Sequence, residues 1–150
     1  MRPKRSSSKQ SLPAHFVLSI KQPWAQMIID GRKDVEIRSW ATSYRGLLWI
    51  HTGKQPDTYA SERFKEKDLF RGGIIGYAEL WGIRPFSSAS WEAWRSRHLD
   101  DAPFHEERAK YGWIFRNPKR LVRPIPMNGT TGLFRLPESI EVKLRRTLKL

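Results

Sequence analysis

The chain contains no cysteine. That one absence excludes disulfides, thiolate zinc sites and cysteine nucleophiles together, and it suits a reducing compartment. Acid is scarce as well. Asp and Glu number 15 against 28 Lys and Arg, which leaves a formal charge of +13 at pH 7 over 150 residues. An excess of that size on a small domain raises a positive field, for which a polyanion is the natural partner. No apolar run reads as a membrane span or a signal peptide, and no segment is strongly amphipathic. Nucleic acid is therefore favoured over a membrane surface. An intracellular location, cytoplasmic or nuclear/nucleoid, is the expectation. The phosphate-binding loops of nucleotide enzymes are missing too. Gly72-Gly73 with Gly76 is too sparse for a dinucleotide fingerprint and opens a strand, not a helix. His15, His51, His98 and His105 share no metal-ligand spacing, and Ser/His/Asp catalysis has no local support, so no metal and no cofactor is expected.

What is present is one domain's length of chain. Hydrophobic residues make up 39%, enough for a core. Basic residues gather at both ends. Arg2, Lys4, Arg5 and Lys9 precede residue 16 with no acid among them, while Lys143, Arg145, Arg146 and Lys149 face only Glu141 near the C-terminus. Residues 1–15 read as a disordered basic arm, 16–136 as the folded domain, and 137–150 as a basic C-terminal extension. The body between the ends remains basic, and a monomer is expected.

Phe16 to Ile20 is apolar and β-branched enough for a strand. Pro23 suits the first turn of a helix, where its missing N–H costs little. Trp24, Met27 and Ile28 follow at the spacing of a buried helical face, and Gly31 supplies a left-handed stop. Lys33 to Trp40 alternates, with Val35 and Ile37 on one side and Glu36, Arg38 and Trp40 on the other. Gly46 to Thr52 reads as a more buried strand. Asp57 or Thr58 caps a helix to about Leu69. Ile74 to Trp81 is a strand, and Ser90 caps a helix carrying Trp91, Trp94 and His98. Asp100 or Asp101, then Pro103, opens a short helix ending at Gly112. Trp113 to Arg116 and Leu121 to Arg123 read as two strands joined through Asn117-Pro118. Asn128-Gly129 signals a turn, and Leu133 to Leu136 is a last strand. About six short strands with helices between them lie too close for a doubly wound sheet. The fold class is α+β, mainly β: a small, mostly antiparallel β-barrel with short peripheral helices.

These residues resemble an ASCH domain, the activating signal cointegrator homology module of the PUA-like group of small β-barrels. The resemblance is carried by Ser19-Ile20-Lys21-Gln22-Pro23-Trp24-Ala25, then Gly31, Lys33, Glu36, Arg38, Ser39 and Trp40. It continues through Arg45-Gly46, Trp49-Ile50, the glycines Gly72, Gly73 and Gly76, and Gly132-Leu133-Phe134. The first third looks closest to the coactivator-like branch. The resemblance implies a PUA-like barrel with a cleft floored by Lys21 and the Glu36/Arg38 positions. It also implies binding of RNA or DNA, a possible regulatory protein partner as for a transcription coregulator, or hydrolysis of RNA or a modified nucleoside. In the branch that hydrolyses acetylcytidine, a Lys, a Thr three residues later and a downstream Glu act together. Lys21 matches the Lys and Glu79 is a counterpart of the Glu, but Trp24 stands where the Thr would be. If there is catalysis, Lys21, Glu36 and Glu79 are the residues it would use.

The candidate nucleic-acid contacts each have a bland alternative. Lys21 sits between strand and helix, where anions gather around free N–H groups; otherwise it is a solvated turn lysine. Gln22 and Ser39 join the set through the motif. Trp24 reads first as core, with an edge offered to a cleft. Trp40 ends its strand on the polar face, which suits base stacking. Glu36 and Arg38 form a structural pair or divide between a base edge and a phosphate. Arg32, Lys33, Arg45 and Lys54 lie in flanking loops and together could track a phosphate backbone. His51 alternates with Trp49 and reads as a barrel residue near the cleft. Adjacent acids at Asp100-Asp101 and Glu106-Glu107 read as caps and surface.

Overall fold

The computed structural model describes residues 12–150. β1 (Phe16–Ser19) runs into α1 (Trp24–Ile29), which Gly31 ends in the left-handed region at φ 80°. β2 (Val35–Arg38) and β3 (Gly46–Thr52) follow. Asp57 then caps α2 (Thr58–Arg63) by accepting a hydrogen bond from the Ala60 amide at 3.0 Å. β4 (Gly73–Pro85) leads to α3 (Ser88–Ala93), which Ser87 and Ser90 close with a capping box, and to α4 (Arg95–His98). β5 (Tyr111–Pro126), β6 (Leu133–Arg135) and α5 (Glu138–Thr147) complete the chain.

The strands form one six-stranded sheet in the order β2-β5-β4-β3-β1-β6. Every pairing is antiparallel except β1 with β3. The sheet curls until its edges approach, and side chains bridge the remaining gap. Arg38 of β2 donates through Nη2 to the Ser19 carbonyl of β1 at 2.6 Å, and the Trp40 ring lies beside Gly132, just ahead of β6. No backbone ladder joins β2 to β6. The expected barrel is thus a curled sheet sealed by side chains.

Two apolar clusters explain why the central strands read as unbroken apolar runs. Leu18, Ile20, Leu48, Ile50, Leu80 and Trp113 pack inside the curl against Ala25 and Ile28 of α1. Val17, Trp49, Ile74, Leu121 and Ile125 pack outside it against Ile140 and Leu144 of α5. A strand buried on both faces needs no polar alternation. The 137–150 segment therefore carries a helix docked on the sheet, with Glu138 and Glu141 in its first turn and Arg145 and Arg146 in its last, the favourable sense for the macrodipole. Packing also begins ahead of Phe16. Leu12 and Ala14 are buried, and the Trp49 indole donates to the Ala14 carbonyl at 2.9 Å. The arm ahead of Leu12 lies outside the described residues.

Three elements depart from the sequence pattern. The helix expected to reach Leu69 stops at Arg63, because Lys65 and Asp68 take positive φ of 55° and 62°. No helix occupies 100–112. Leu99 turns left-handed at φ 64°, and the Asp100 carboxylate holds the Ala102 amide at 2.7 Å, a local turn competing with a helical one. The two strands expected around Asn117-Pro118 are one. Asn117 takes φ 52° and irregularities in the β4–β5 register absorb the proline, which has no N–H to give the ladder.

Candidate functional site

At one end of the curled sheet β1 and β3 finish, β4 begins, and the chain leaving β5 folds back as the 127–132 loop. Between them lies a hollow of about 610 Å³. Lys21, Arg38 and Lys54 line it, together with Ser19, His51, Gln55, Asn128, Thr130 and Thr131. No carboxylate is among the lining residues. A concavity of this size and sign suits one anionic, partly flat group.

The floor is a hydrogen-bonded chain. His51 is 1% exposed. Its Nε2 lies 2.8 Å from the Met127 carbonyl, so that nitrogen carries the proton and donates. Nδ1 is then the acceptor for the Ser19 hydroxyl at 3.0 Å. Burial lowers the imidazole below its ordinary pKa of 6.5, with the Met127 carbonyl opposing. The ring is therefore neutral, and the floor adds polarity without charge. Gly129 sits directly over it: a Cβ there would fall 2.3 Å from His51 Cε1. Only a residue without a side chain lets the loop close on the ring.

Arg38 reaches the hollow from behind. Glu36 bridges it at 3.2 Å to Lys33 at 3.4 Å on the far side. Lys33 is 2% exposed, donates to the His98 carbonyl at 2.7 Å and lies 4.5 Å from the centre of the Trp24 ring. Its pKa is lowered, chiefly by burial, against the pull of Glu36. Two cations share one carboxylate, and the open end of the triad faces the hollow. Arg38 Nε is buried with no partner, a donor left over after Ser19 and Glu36 are satisfied.

Lys21, Arg38, His51 and Lys54 are thus brought together as the sequence suggested. The others take different places. Lys33 is sealed in the interior and cannot track a phosphate backbone. Gln22 is 2% exposed; it donates to the Phe70 carbonyl and accepts from the Gln26 amide, both at 2.9 Å, so it anchors α1. Trp24 donates to Asp57 at 2.9 Å and meets Phe64 edge-on, the core role its spacing favours. Trp40 stands edge-on to Trp113 at 4.8 Å and its carbonyl accepts from that indole at 3.0 Å. It closes the gap in the sheet beside Gly132 and is not among the residues that line the hollow. Arg32 is paired with Asp30 and Glu66. Arg45 is tied to the Thr42 and Tyr44 carbonyls of its own loop, each at 2.7 Å. Ser39 is exposed at the strand end. Glu79 lies in mid-β4 between Leu47 and Arg116, outside the hollow. Among the described residues no cluster of three or more His, Asp or Glu could hold a metal, and no helix is long and apolar enough to cross a membrane.

Sequence reasoning missed Ser19 as a lining group, and the whole 127–132 loop. The loop's signals are the Asn128-Gly129 turn and Gly132 of the motif, which give a bend but no address.

A family model for the ASCH domain matches residues 18–125. The chain is 29% identical over 147 residues to activating signal cointegrator 1 of Mus musculus and of Homo sapiens, covering 89% of this chain and 24% of each relative. It thus spans about a quarter of the length of those curated relatives. The crystal structure of ASCH from Zymomonas mobilis superposes with a TM-score of 0.64 at 17% identity, covering 87% of this chain and 93% of that one. At that identity the likeness speaks for the fold, a PUA-like one.

Proposed function

The chain belongs to the ASCH domain family, and from that premise we propose that its hollow is a nucleic-acid-binding site for RNA or for single-stranded or distorted DNA. The observation that carries this reading is the convergence of Lys21, Arg38 and Lys54 on one concavity with no carboxylate in its lining. Lys21 and Lys54 would meet phosphates as point charges, while Arg38, which lines the hollow, would add a planar guanidinium charge for a phosphate or base carbonyl. Ser19, Asn128, Thr130 and Thr131 offer neutral donors and acceptors suited to a base edge. An unstacked base is required, because a duplex keeps its base edges out of a narrow hollow. The chain would act as a monomer within the cell.

The test is fluorescence anisotropy with labelled single-stranded RNA and DNA at rising salt. Binding should weaken as salt rises, with a slope of roughly 0.7 per phosphate contact. Lys21→Ala and Lys54→Ala should each lower affinity and flatten that slope. Absence of binding even at low salt would remove the proposal.

The hydrolytic alternative gains no support from the placement of its proton carriers, since Glu36 is committed to Lys33 and Arg38 and Glu79 lies elsewhere. Likeness to activating signal cointegrator 1 favours a second reading, a protein-interaction module in transcriptional regulation. A pull-down that survives nuclease treatment would separate it from the first.

A further inference from the structure

Away from the hollow, β5 carries a second concentration of charge. Arg116, Lys119, Arg120 and Arg123 are all exposed along this one strand. None of the four takes part in an ion pair among the described residues. Glu79 is the facing acid, in register with Arg116 on β4, and it too forms no ion pair there. Four other surface arginines, Arg32, Arg63, Arg95 and Arg97, each hold a carboxylate. Arg116 stacks on Trp81, while Lys119 and Arg120, consecutive on the strand, point to opposite faces of it; the fold gains no ion pair from any of the four.

The strand also displays apolar surface. The Arg116 guanidinium lies 3.8 Å from the centre of the Trp81 ring, and Trp81 is 46% exposed. Val122, between the cations, is 90% exposed. An exposed indole backed by guanidinium, on a strand that carries exposed Lys119, Arg120 and Arg123 beyond it, has the make-up of a single-strand platform, where stacking and phosphate contacts alternate.

Its position links it to the hollow. β5 ends at Pro126, and the next residue, Met127, lines the hollow. At about 3.3 Å per residue, Arg123 stands about 13 Å along the strand from that rim and Arg116 at most about 36 Å from it. We infer that this β5 ridge is a second contact surface for the phosphate backbone of a single-stranded polynucleotide whose one unstacked nucleotide enters the hollow. The inference rests on the reading of the hollow given above, and it makes the substrate a strand of several nucleotides, not a free nucleoside or mononucleotide.

Anisotropy with two labelled single strands, about 4 and about 20 nucleotides long, tests this directly. The variants are the triple Lys119→Gln/Arg120→Gln/Arg123→Gln and, separately, Lys21→Ala. All substituted side chains are exposed, and a thermal melt verifies that each variant folds. The triple variant should bind the short strand like the parent. It should lose roughly 10- to 100-fold on the long strand at low salt, with the salt slope reduced by about 2. Lys21→Ala should weaken both lengths. If the triple variant binds the long strand like the parent, the ridge is overturned and the hollow stands. An equal loss on both lengths also overturns the ridge as a separate contact. If the triple variant alone loses binding while Lys21→Ala is silent, the hollow reading falls and the ridge remains. If the parent binds neither strand, both fall.

Discussion

The two ends of α1 meet opposite environments. Its N-terminal approach carries Lys21, which opens to the hollow; beyond its C-terminal end Lys33 is enclosed by Trp24, Glu36 and the His98 carbonyl. Both are lysines of the same motif, and each end also has a buried neutral histidine, His51 at the open end and His98 at the closed one. At the open end charge is left without a counter-ion. At the closed end it is consumed, because a lysine taken out of water must be given an acceptor, a carboxylate and a π-face. The same residue type is therefore left open to water in one place and built into the architecture in the other.

Lys33→Ala probes the closed end hardest. It strips Glu36 of one buried partner and leaves the His98 carbonyl unpaired, and such losses cost about 3–5 kcal/mol. Chemical denaturation should show that drop, with Lys33→Met milder because it keeps the packing. A parent-like midpoint for Lys33→Ala would erase the contrast between the ends.

Gly129→Ala probes the open end. The new methyl would collide with a ring pinned between Ser19 and Met127, and overpacking of that kind costs about 1–3 kcal/mol. The companion variant Gly53→Ala has open space around its Cβ and should cost less.

Acidification acts on both ends. Burial lowers His51 and His98 below the ordinary 6.5. As pH falls through 6.5 the unfolded chain takes up protons that the folded chain refuses, so stability is full above that pH and is lost progressively below it. Melting temperature should fall between pH 7.5 and pH 5.5 by more than surface charge alone explains, and His51→Gln should remove part of the fall. A flat profile would mean that both rings accept protons without leaving their carbonyls.

The smallest structural effect belongs to Lys21→Ala. Calorimetry should place its stability within about 0.5 kcal/mol of the parent, as for an exposed surface site. A large loss would make Lys21 a structural lysine like Lys33.

Much of the fold was legible because local rules and global packing agree. The β1–α1–β2 opening follows from apolar spacing, Pro23 and Gly31, and Asp57 caps α2 as its chemistry suggests. The failures fall where a local signal met a stronger tertiary one. Pro118 reads as a break, yet β4 holds β5 continuous around it. Asp100 and Pro103 read as a helix start, yet the carboxylate turns to its own backbone. Within the site, Lys21, Arg38, His51 and Lys54 were named from the sequence, but Lys33 and Trp40 were indistinguishable from them. Exposure is not a property of a residue's neighbours in the chain.

Sequence alone determined the family, the mainly β architecture, the positive field and the set of cations near α1, because these depend on composition, period and spacing within a few residues. Tertiary structure decided which of those cations stay in contact with water. It also brought the 127–132 loop onto His51. The contacts that decide these matters join residues far apart, 65 positions between Lys33 and His98 and 76 between His51 and Met127. A side chain's charge is written into its own identity, but its desolvation depends on what the rest of the chain lays over it.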